Sequence, residues 1–175
     1  YYPLKIIGNR LFYFTSAVTG IDLPDTVERI SENAFNGCNL GEVTIPASVK
    51  FLDNRAFSSA GITTLTFEAG SQLEIIGKSA FSANYMSGEL ILPLGLRIIE
   101  EGAFYYCNNI TSIIIPNTVT GIGKDAFRIT GILEIFIPAS VEDMGQTIFG
   151  VDAPDVTIYC QISQAEFEAL SSIFE

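Results

Sequence analysis

The chain has 175 residues, enough for one domain of ordinary size, with 48% apolar and 17% charged residues. Its net charge of −11 repels phosphate groups, which disfavours nucleic acid and anionic lipid surfaces as partners. It contains no histidine, and this removes Ser-His-Asp and Cys-His catalysis together with histidine metal sites.

The first predicted element is a truncated repeat. Leu4, Ile7 and Leu11-Phe12 match two columns of the later repeats, but no strand pattern precedes them. The first five residues lack the basic start and apolar stretch of a signal peptide. No apolar run approaches the ~20 residues of a membrane span. Because the chain starts in the middle of a repeat, we expect it to be part of a longer protein. Because its apolar runs are short, we expect no insertion into a membrane.

A phenylalanine then recurs at steps of 22 to 24 residues. The series is Phe12, Phe35, Phe57, Phe81, Phe104, Phe127 and Phe149, and in five of these repeats an alanine precedes the phenylalanine. A fixed period between about 20 and 30 residues indicates stacked repeats. Because a repeat protein offers extended surfaces rather than a cleft, the pattern favours binding over catalysis.

Each repeat predicts one strand followed by a turn. In five repeats a proline stands 11 residues before the phenylalanine, and the residues one and three places before that proline are apolar, as at Ile113 and Ile115. This period of two indicates a short, half-buried strand that ends at the proline. Apolar residues follow three and six places after it, as at Val119 and Ile122. The Ala-Phe pair is predicted to lie on a short helical turn.

One repeat departs from the pattern. After Phe67 the sequence Glu68-Ala69-Gly70 replaces the proline and adds two residues. We predict a bulge at the end of that strand, with no more than a local kink. In the same repeat Gly77-Lys78-Ser79 is similar to the end of a phosphate-binding loop, but Gln72 stands where that motif requires glycine.

The C-terminal end predicts a cap. Residues 156–160 form the last predicted strand, and Ser163-Gln164-Ala165-Glu166 is a capping-box pattern that opens a helix. Phe167, Leu170 and Phe174 would share one face of this helix. The predicted organisation is an array of about seven repeats over residues 1–160, the first one truncated, and a C-terminal capping helix over residues 161–175.

Two whole repeats carry a family resemblance. The segments TIPASVKFLDNRAFSSAGITTL (44–65) and IIPNTVTGIGKDAFRITGILEI (114–135) resemble the BspA-like leucine-rich repeats, and the resemblance extends from Leu4 to Tyr159. It implies an α/β repeat solenoid, a leucine-rich-repeat right-handed superhelix with one short parallel strand per repeat and short helical turns opposite. It also implies a non-enzymatic binding module of a bacterial cell-surface or secreted protein that adheres to host matrix or to other cells.

The cysteines and carboxylates predict no catalytic, cofactor or metal site. Cys38 and Cys107 occupy the same place three repeats apart, about 14 Å at the strand spacing of a sheet, so they are predicted to be buried and unbridged. Acidic pairs such as Glu100-Glu101 lack the spacing of a calcium loop. We therefore predict no cofactor and no enzymatic activity.

The outward strand positions form the candidate binding site. The middle column changes from polar to apolar along the array, and acidic residues border it: Thr44, Thr66, Ile91, Ile114, Phe136, Glu89 and Glu134. An apolar row with an acidic border is typical of a protein-binding patch. Three alternatives remain: the row simply suits a parallel sheet, another element covers it, or the array is a structural spacer or stalk presenting another domain. The expected partner is a host matrix or cell-surface protein bound by a monomer.

Overall fold

Short strands are the regular secondary structure of this molecule, and turns connect them. The computed structural model describes residues 2–150 and 155–162, and in that part of the chain it contains thirteen strands and no helix. In chain order they are β1 (Ile6–Ile7), β2 (Arg29–Ile30), β3 (Gly41–Ile45), β4 (Phe51–Leu52), β5 (Ile62–Phe67), β6 (Ile75–Ile76), β7 (Gly88–Ile91), β8 (Ile98–Ile99), β9 (Ile110–Ile114), β10 (Gly121–Ile122), β11 (Glu134–Pro138), β12 (Asp143–Met144) and β13 (Thr157–Ile162).

The strands form two kinds of sheet. The seven two-residue strands pair in parallel in the order β1-β2-β4-β6-β8-β10-β12, and we call this the short-strand sheet. The longer strands form three parallel pairs, β3 with β5, β7 with β9 and β11 with β13. We call the outward side of these six strands the open sheet face. Within the described residues β5 does not pair with β7, nor β9 with β11, so this second sheet is interrupted twice.

The core lies between the strands and follows the predicted apolar columns. On β3 the side chains of Val43 and Ile45 are buried, whereas Thr44 between them is exposed. The apolar columns after the proline are buried as well, as at Val49 and Leu52. Since inward positions recur with the repeat, each coil covers the apolar residues of the next and the core runs along the whole array.

The periodic phenylalanines form a continuous stack, which we call the Phe spine. From Phe12 to Phe149 the centroids of successive rings are 5.1 to 6.0 Å apart. The first five contacts have ring planes within 17° of parallel, and the last is tilted by 34°. Distances in this range are typical of favourable aromatic pairs, so the spine adds to the burial of the rings themselves.

The prediction of short helical turns is wrong. Around Phe35, both Asn33 and Gly37 have a positive φ, of 57° and 76°, and the other coils repeat this alternation. Left-handed residues interrupt a right-handed helix. The N–H of Phe35 donates instead to the carbonyl oxygen of Ala56 in the next coil, at 2.8 Å. In these turns hydrogen bonds to the next coil alternate with bonds inside the coil, such as that from the N–H of Ala34 to the carbonyl oxygen of Ser31 at 3.1 Å.

The prediction of one strand per repeat is also wrong, because the segment after each proline forms a second strand. Ile30, for example, pairs with Ile7 and Leu52 in the coils on either side. These two-residue strands satisfy backbone groups that a loop would leave to water. The predicted capping helix over residues 161–175 falls almost entirely outside the described residues, and β13 extends to Ile162.

Candidate protein-binding surface

The structure brings the predicted column onto the open sheet face. Strand register places Thr44 beside Thr66, Ile91 beside Ile114, and Phe136 beside Tyr159. Ile91 is the most exposed of the apolar members, at 62% of its full accessible surface. The side chains of Ile114 and Phe136 are half-buried. The column therefore presents apolar surface that is centred on Ile91.

Neighbouring members of the column contact one another. The hydroxyl oxygens of Thr44 and Thr66 are 2.9 Å apart and form a hydrogen bond. The ring of Phe136 stacks on that of Tyr159, with 4.6 Å between centroids and 15° between planes. Tyr159 was not among the predicted residues, because its strand lacks the proline that marks the column in other repeats. Its place two residues after Thr157, as Phe136 follows Glu134, is the signal that finds it.

The open sheet face carries acidic groups and no basic ones. Its strands contain Glu42, Glu89 and Glu134, all exposed, and Glu68 follows β5 directly. None of these four carboxylates forms an ion pair with another described residue. Unpaired carboxylates beside apolar side chains favour a partner that is itself basic and apolar.

The basic residues all lie elsewhere in the coils. The nine are Lys5, Arg10, Arg29, Lys50, Arg55, Lys78, Arg97, Lys124 and Arg128. Several of them pair with acids on their own side of the molecule, as Arg29 does with Asp53 at 3.0 Å and Lys78 with Glu101 at 2.8 Å. Ion pairs among the described residues therefore lie outside the open sheet face.

A groove opens where the sheet is interrupted between β5 and β7. It has a volume of about 770 Å³, and its lining joins the end of β5, the inserted residues and the row that contains Ile91 and Ile114. Leu94, just beyond β7, is 72% exposed and also lines it. A break in the sheet and a concave surface thus lie beside the inserted residues.

A second apolar row lies on the short-strand sheet and was not predicted. Strand register places Phe51, Ile75 and Ile98 side by side, and all three are half-buried. The guanidinium of Arg29 lies over the ring of Phe51, 4.7 Å from its centroid. Because no strand was predicted for this segment, its outward-pointing residues could not be identified from the sequence.

The three cysteines are free; two of them are buried and Cys160 is exposed. Cys38 and Cys107 are buried and unbridged, as predicted. The thiol of Cys107 donates to the carbonyl oxygen of Phe81 at 3.2 Å, and burial raises its pKa to about 12. Among the described residues no three His, Cys, Asp or Glu side chains are grouped to hold a metal ion. The same residues include no helix with the length and apolarity to cross a membrane.

Comparison with solved structures shows the same fold in bacterial proteins. A leucine-rich repeat protein from Bacteroides ovatus is 23% identical, with a TM-score of 0.58, over 90% of this chain and 49% of its own. A leucine-rich cell surface protein from Faecalibacterium prausnitzii is 24% identical, with a TM-score of 0.62, over 91% and 43%. The pneumococcal vaccine antigen PcpA is 24% identical, with a TM-score of 0.62, over 81% and 37%.

These likenesses establish the fold, and the chain spans less than half the length of each of these proteins. No curated protein matches the chain in sequence. The profile of the BspA type leucine rich repeat region matches it in six copies, over residues 5–128 and 68–153. The chain belongs to the BspA-type leucine-rich repeat family.

Proposed function

We propose that the chain is a non-enzymatic protein-binding module of a bacterial cell-surface or secreted protein, and that the open sheet face contacts the partner in adhesion to host matrix or to other cells. The observation that carries this proposal is the combination on one face of exposed apolar side chains and unpaired carboxylates. Two of the structural neighbours, described as a cell surface protein and a vaccine antigen, support the surface location.

Binding would draw on two physical effects. Covering Ile91, Ile114 and Phe136 removes apolar surface from water, at about 25 cal/mol per Å². Glu89 and Glu134 attract a basic partner and accelerate its association, and salt screens this attraction. The hydroxyl pair of Thr44 and Thr66 supplies hydrogen bonds at the polar end of the column. Complex formation should therefore weaken as ionic strength rises.

The test compares two matched triple variants. The first, Ile91→Ser/Ile114→Ser/Phe136→Ser, alters the open sheet face. The control, Phe51→Ser/Ile75→Ser/Ile98→Ser, removes two isoleucines and one phenylalanine from the short-strand sheet. Binding to immobilised collagen, fibronectin and laminin is measured by surface plasmon resonance, and folding by circular dichroism.

We expect the open-face variant to lose binding that the control retains. The opposite pattern would place the contact on the short-strand sheet and contradict the proposal. If neither the matrix proteins nor intact host cells bind the unmodified chain, the adhesive role is wrong.

A structural spacer is the second candidate function. The observation in its favour is the continuous Phe spine, reinforced by hydrogen bonds between successive coils. A spacer depends on the number of coils rather than on the chemistry of any one face. It therefore predicts that every surface variant described above behaves like the unmodified chain.

A further inference from the structure

The two inserted residues form a turn at the edge of the open sheet face. The N–H of Ser71 donates to the carbonyl oxygen of Glu68 at 3.2 Å, and Gly70 between them has a φ of 76°. The carboxylate of Glu68 accepts a hydrogen bond from the N–H of Ala47 at 2.9 Å, which ties the turn to the preceding coil. A Cβ on Gly70 would meet no atom within 4 Å. The turn is thus anchored at one end and unobstructed at its tip.

The groove beside this turn combines apolar lining with acidic groups. Phe67 and Leu94 contribute to its lining together with Ile91, and two of these three are among the most exposed apolar residues of the described chain. Glu68 and Glu89 also line it, and no Lys or Arg does. A bound group that matches this lining has an apolar part and a positive charge close to it.

The strand edges give the groove a further property. Because β5 and β7 do not pair, the backbone N–H and C=O groups on their facing edges do not form a ladder of hydrogen bonds with one another. Exposed strand edges bind extended peptides through main-chain hydrogen bonds, and neighbouring pockets select the side chains. An extended segment of about six residues spans ~20 Å, the length of a six-residue strand such as β5.

We propose that this groove binds an extended peptide segment of a partner protein, one that carries a large apolar side chain flanked by Lys or Arg. The apolar side chain packs against Ile91 and Leu94, and the flanking cations lie beside Glu89 and Glu68. The inference rests on the proposed function only in that the partner is a protein. Beyond the proposed function, the groove gives the partner a specific position on the open sheet face, and its lining defines the chemistry of the bound segment.

The probes are four labelled synthetic peptides of about nine residues, long enough to cross the groove when extended. They carry Leu or Ser at the centre and Lys or Glu at the flanking positions, and binding is measured by fluorescence polarisation. We expect the peptide with Leu and Lys to bind best. Replacing Leu by Ser or Lys by Glu should each weaken binding by about tenfold, the effect of losing one anchoring contact. Equal binding of all four peptides, or binding of none, overturns the inference.

The variants locate the peptide on the molecule. Ile91→Ser and Leu94→Ser should each weaken binding by about tenfold. Glu89→Lys should invert the preference between the Lys and Glu peptides. Deleting Ala69 and Gly70 restores a coil of the length found between Phe35 and Phe57, and should abolish binding. Ile129→Ser, at an exposed position in the turn after Phe127, is the matched control and should bind as the unmodified chain does.

The result separates failure of the groove from failure of the proposed function. If Phe136→Ser abolishes peptide binding while Ile91→Ser and Leu94→Ser leave it intact, the peptide lies elsewhere on the open sheet face. The groove assignment is then wrong and the binding function stands. If the peptide binds in the groove but matrix proteins and host cells do not bind, the groove stands and the adhesive role is wrong.

Discussion

Phe57 and Phe81 stack with 5.6 Å between ring centroids and 5° between ring planes, although 24 residues separate them. Phe35 and Phe57 are only 22 residues apart and stack almost identically, at 5.1 Å and 7°. The Phe spine thus keeps its geometry while the coil length varies. The two extra residues are accommodated in the turn after β5, on the open sheet face. An insertion there changes a surface of the molecule and leaves its core in register.

Removing a ring from the middle of the Phe spine should strongly destabilise the fold. Phe81 is fully buried and stacks on a ring at either side. Phe81→Ala should therefore lower the free energy of unfolding by about 3–5 kcal/mol through lost burial and the cavity left behind. Urea denaturation followed by circular dichroism measures this change. Phe14→Ala is the control, since Phe14 is 67% exposed, and a similar loss there would contradict the role given to the spine.

Adding one methyl group between coils should also destabilise the fold. A Cβ on Gly123 would lie 2.4 Å from the backbone nitrogen of Glu101 in the neighbouring coil. Because backbone cannot rotate away, Gly123→Ala should lower the free energy of unfolding by about 1–3 kcal/mol. Gly8 occupies the same place in its own repeat, and nothing lies within 4 Å of the equivalent Cβ. Gly8→Ala should leave stability almost unchanged, and equal effects at both sites would refute the steric explanation.

The repeat pattern predicts the core well because buried positions require apolar residues, which are visible in the sequence. Inward positions such as Val43 and Ile45 must be apolar in every coil, so their periodicity identifies the strands and the face they bury. The backbone conformation of the turns has no comparable residue pattern. Arg55 and Ser79 adopt positive φ although neither is glycine, because hydrogen bonds to the next coil hold them there. Propensity alone therefore indicated helical turns.

The candidate site is predictable to a similar extent. Alternation along each strand places Ile91, Ile114 and Phe136 on one face, and strand register pairs Ile91 with Ile114 and Phe136 with Tyr159. The groove could not be predicted, since it depends on which neighbouring strands pair, and β9 and β11 are unpaired as well although no residue is inserted between them. The sequence identifies Glu68-Ala69-Gly70 as an insertion, but it does not show that β5 and β7 are unpaired.

Thiol labelling should distinguish the three cysteines. Burial raises the pKa of Cys107 to about 12 and also raises that of Cys38, so both are protonated and shielded at neutral pH. Cys160 is exposed. Since the thiolate is the reactive form, Ellman's reagent should titrate one thiol in the folded chain and three after unfolding.

The variant Cys160→Ser assigns the reactive thiol. It should abolish the reaction of the folded chain and leave two thiols after unfolding. Rapid labelling of Cys107 in the folded variant would show that its coil opens readily, against the packing described for the Phe spine.

Two surface ion pairs should make the stability of the fold depend on pH. A hydrogen bond from Lys78 and the attraction of its charge lower the pKa of Glu101 below its ordinary value of 4.5, and Lys5 does the same for Glu28. A lowered folded-state pKa stabilises the fold above pH 4.5, and this stabilisation is lost as the pH falls through the folded-state value. The melting temperature of Lys78→Met should therefore lie below that of the unmodified chain at pH 7, and the two should converge as the pH falls through the folded-state pKa of Glu101.

The matched control for this measurement is Arg97→Met, because Arg97 forms no ion pair with the described residues. The melting temperature of Arg97→Met should differ from that of the unmodified chain by the same amount at pH 7 and at acidic pH. A difference for Lys78→Met that does not change with pH would mean that the pair with Glu101 contributes nothing.

Deleting residues 82–127 should distinguish binding from spacing. The deletion removes two coils of 23 residues each and leaves Phe81 and Phe149 22 residues apart, a step that the array already contains. Because each coil contacts only its neighbours, the shortened chain should still fold, with the β-rich circular dichroism of the parent and a smaller hydrodynamic radius. It loses Glu89, Ile91 and Ile114, and with them the groove. A binding module should then lose its matrix and peptide contacts, whereas a spacer should keep its function in shortened form.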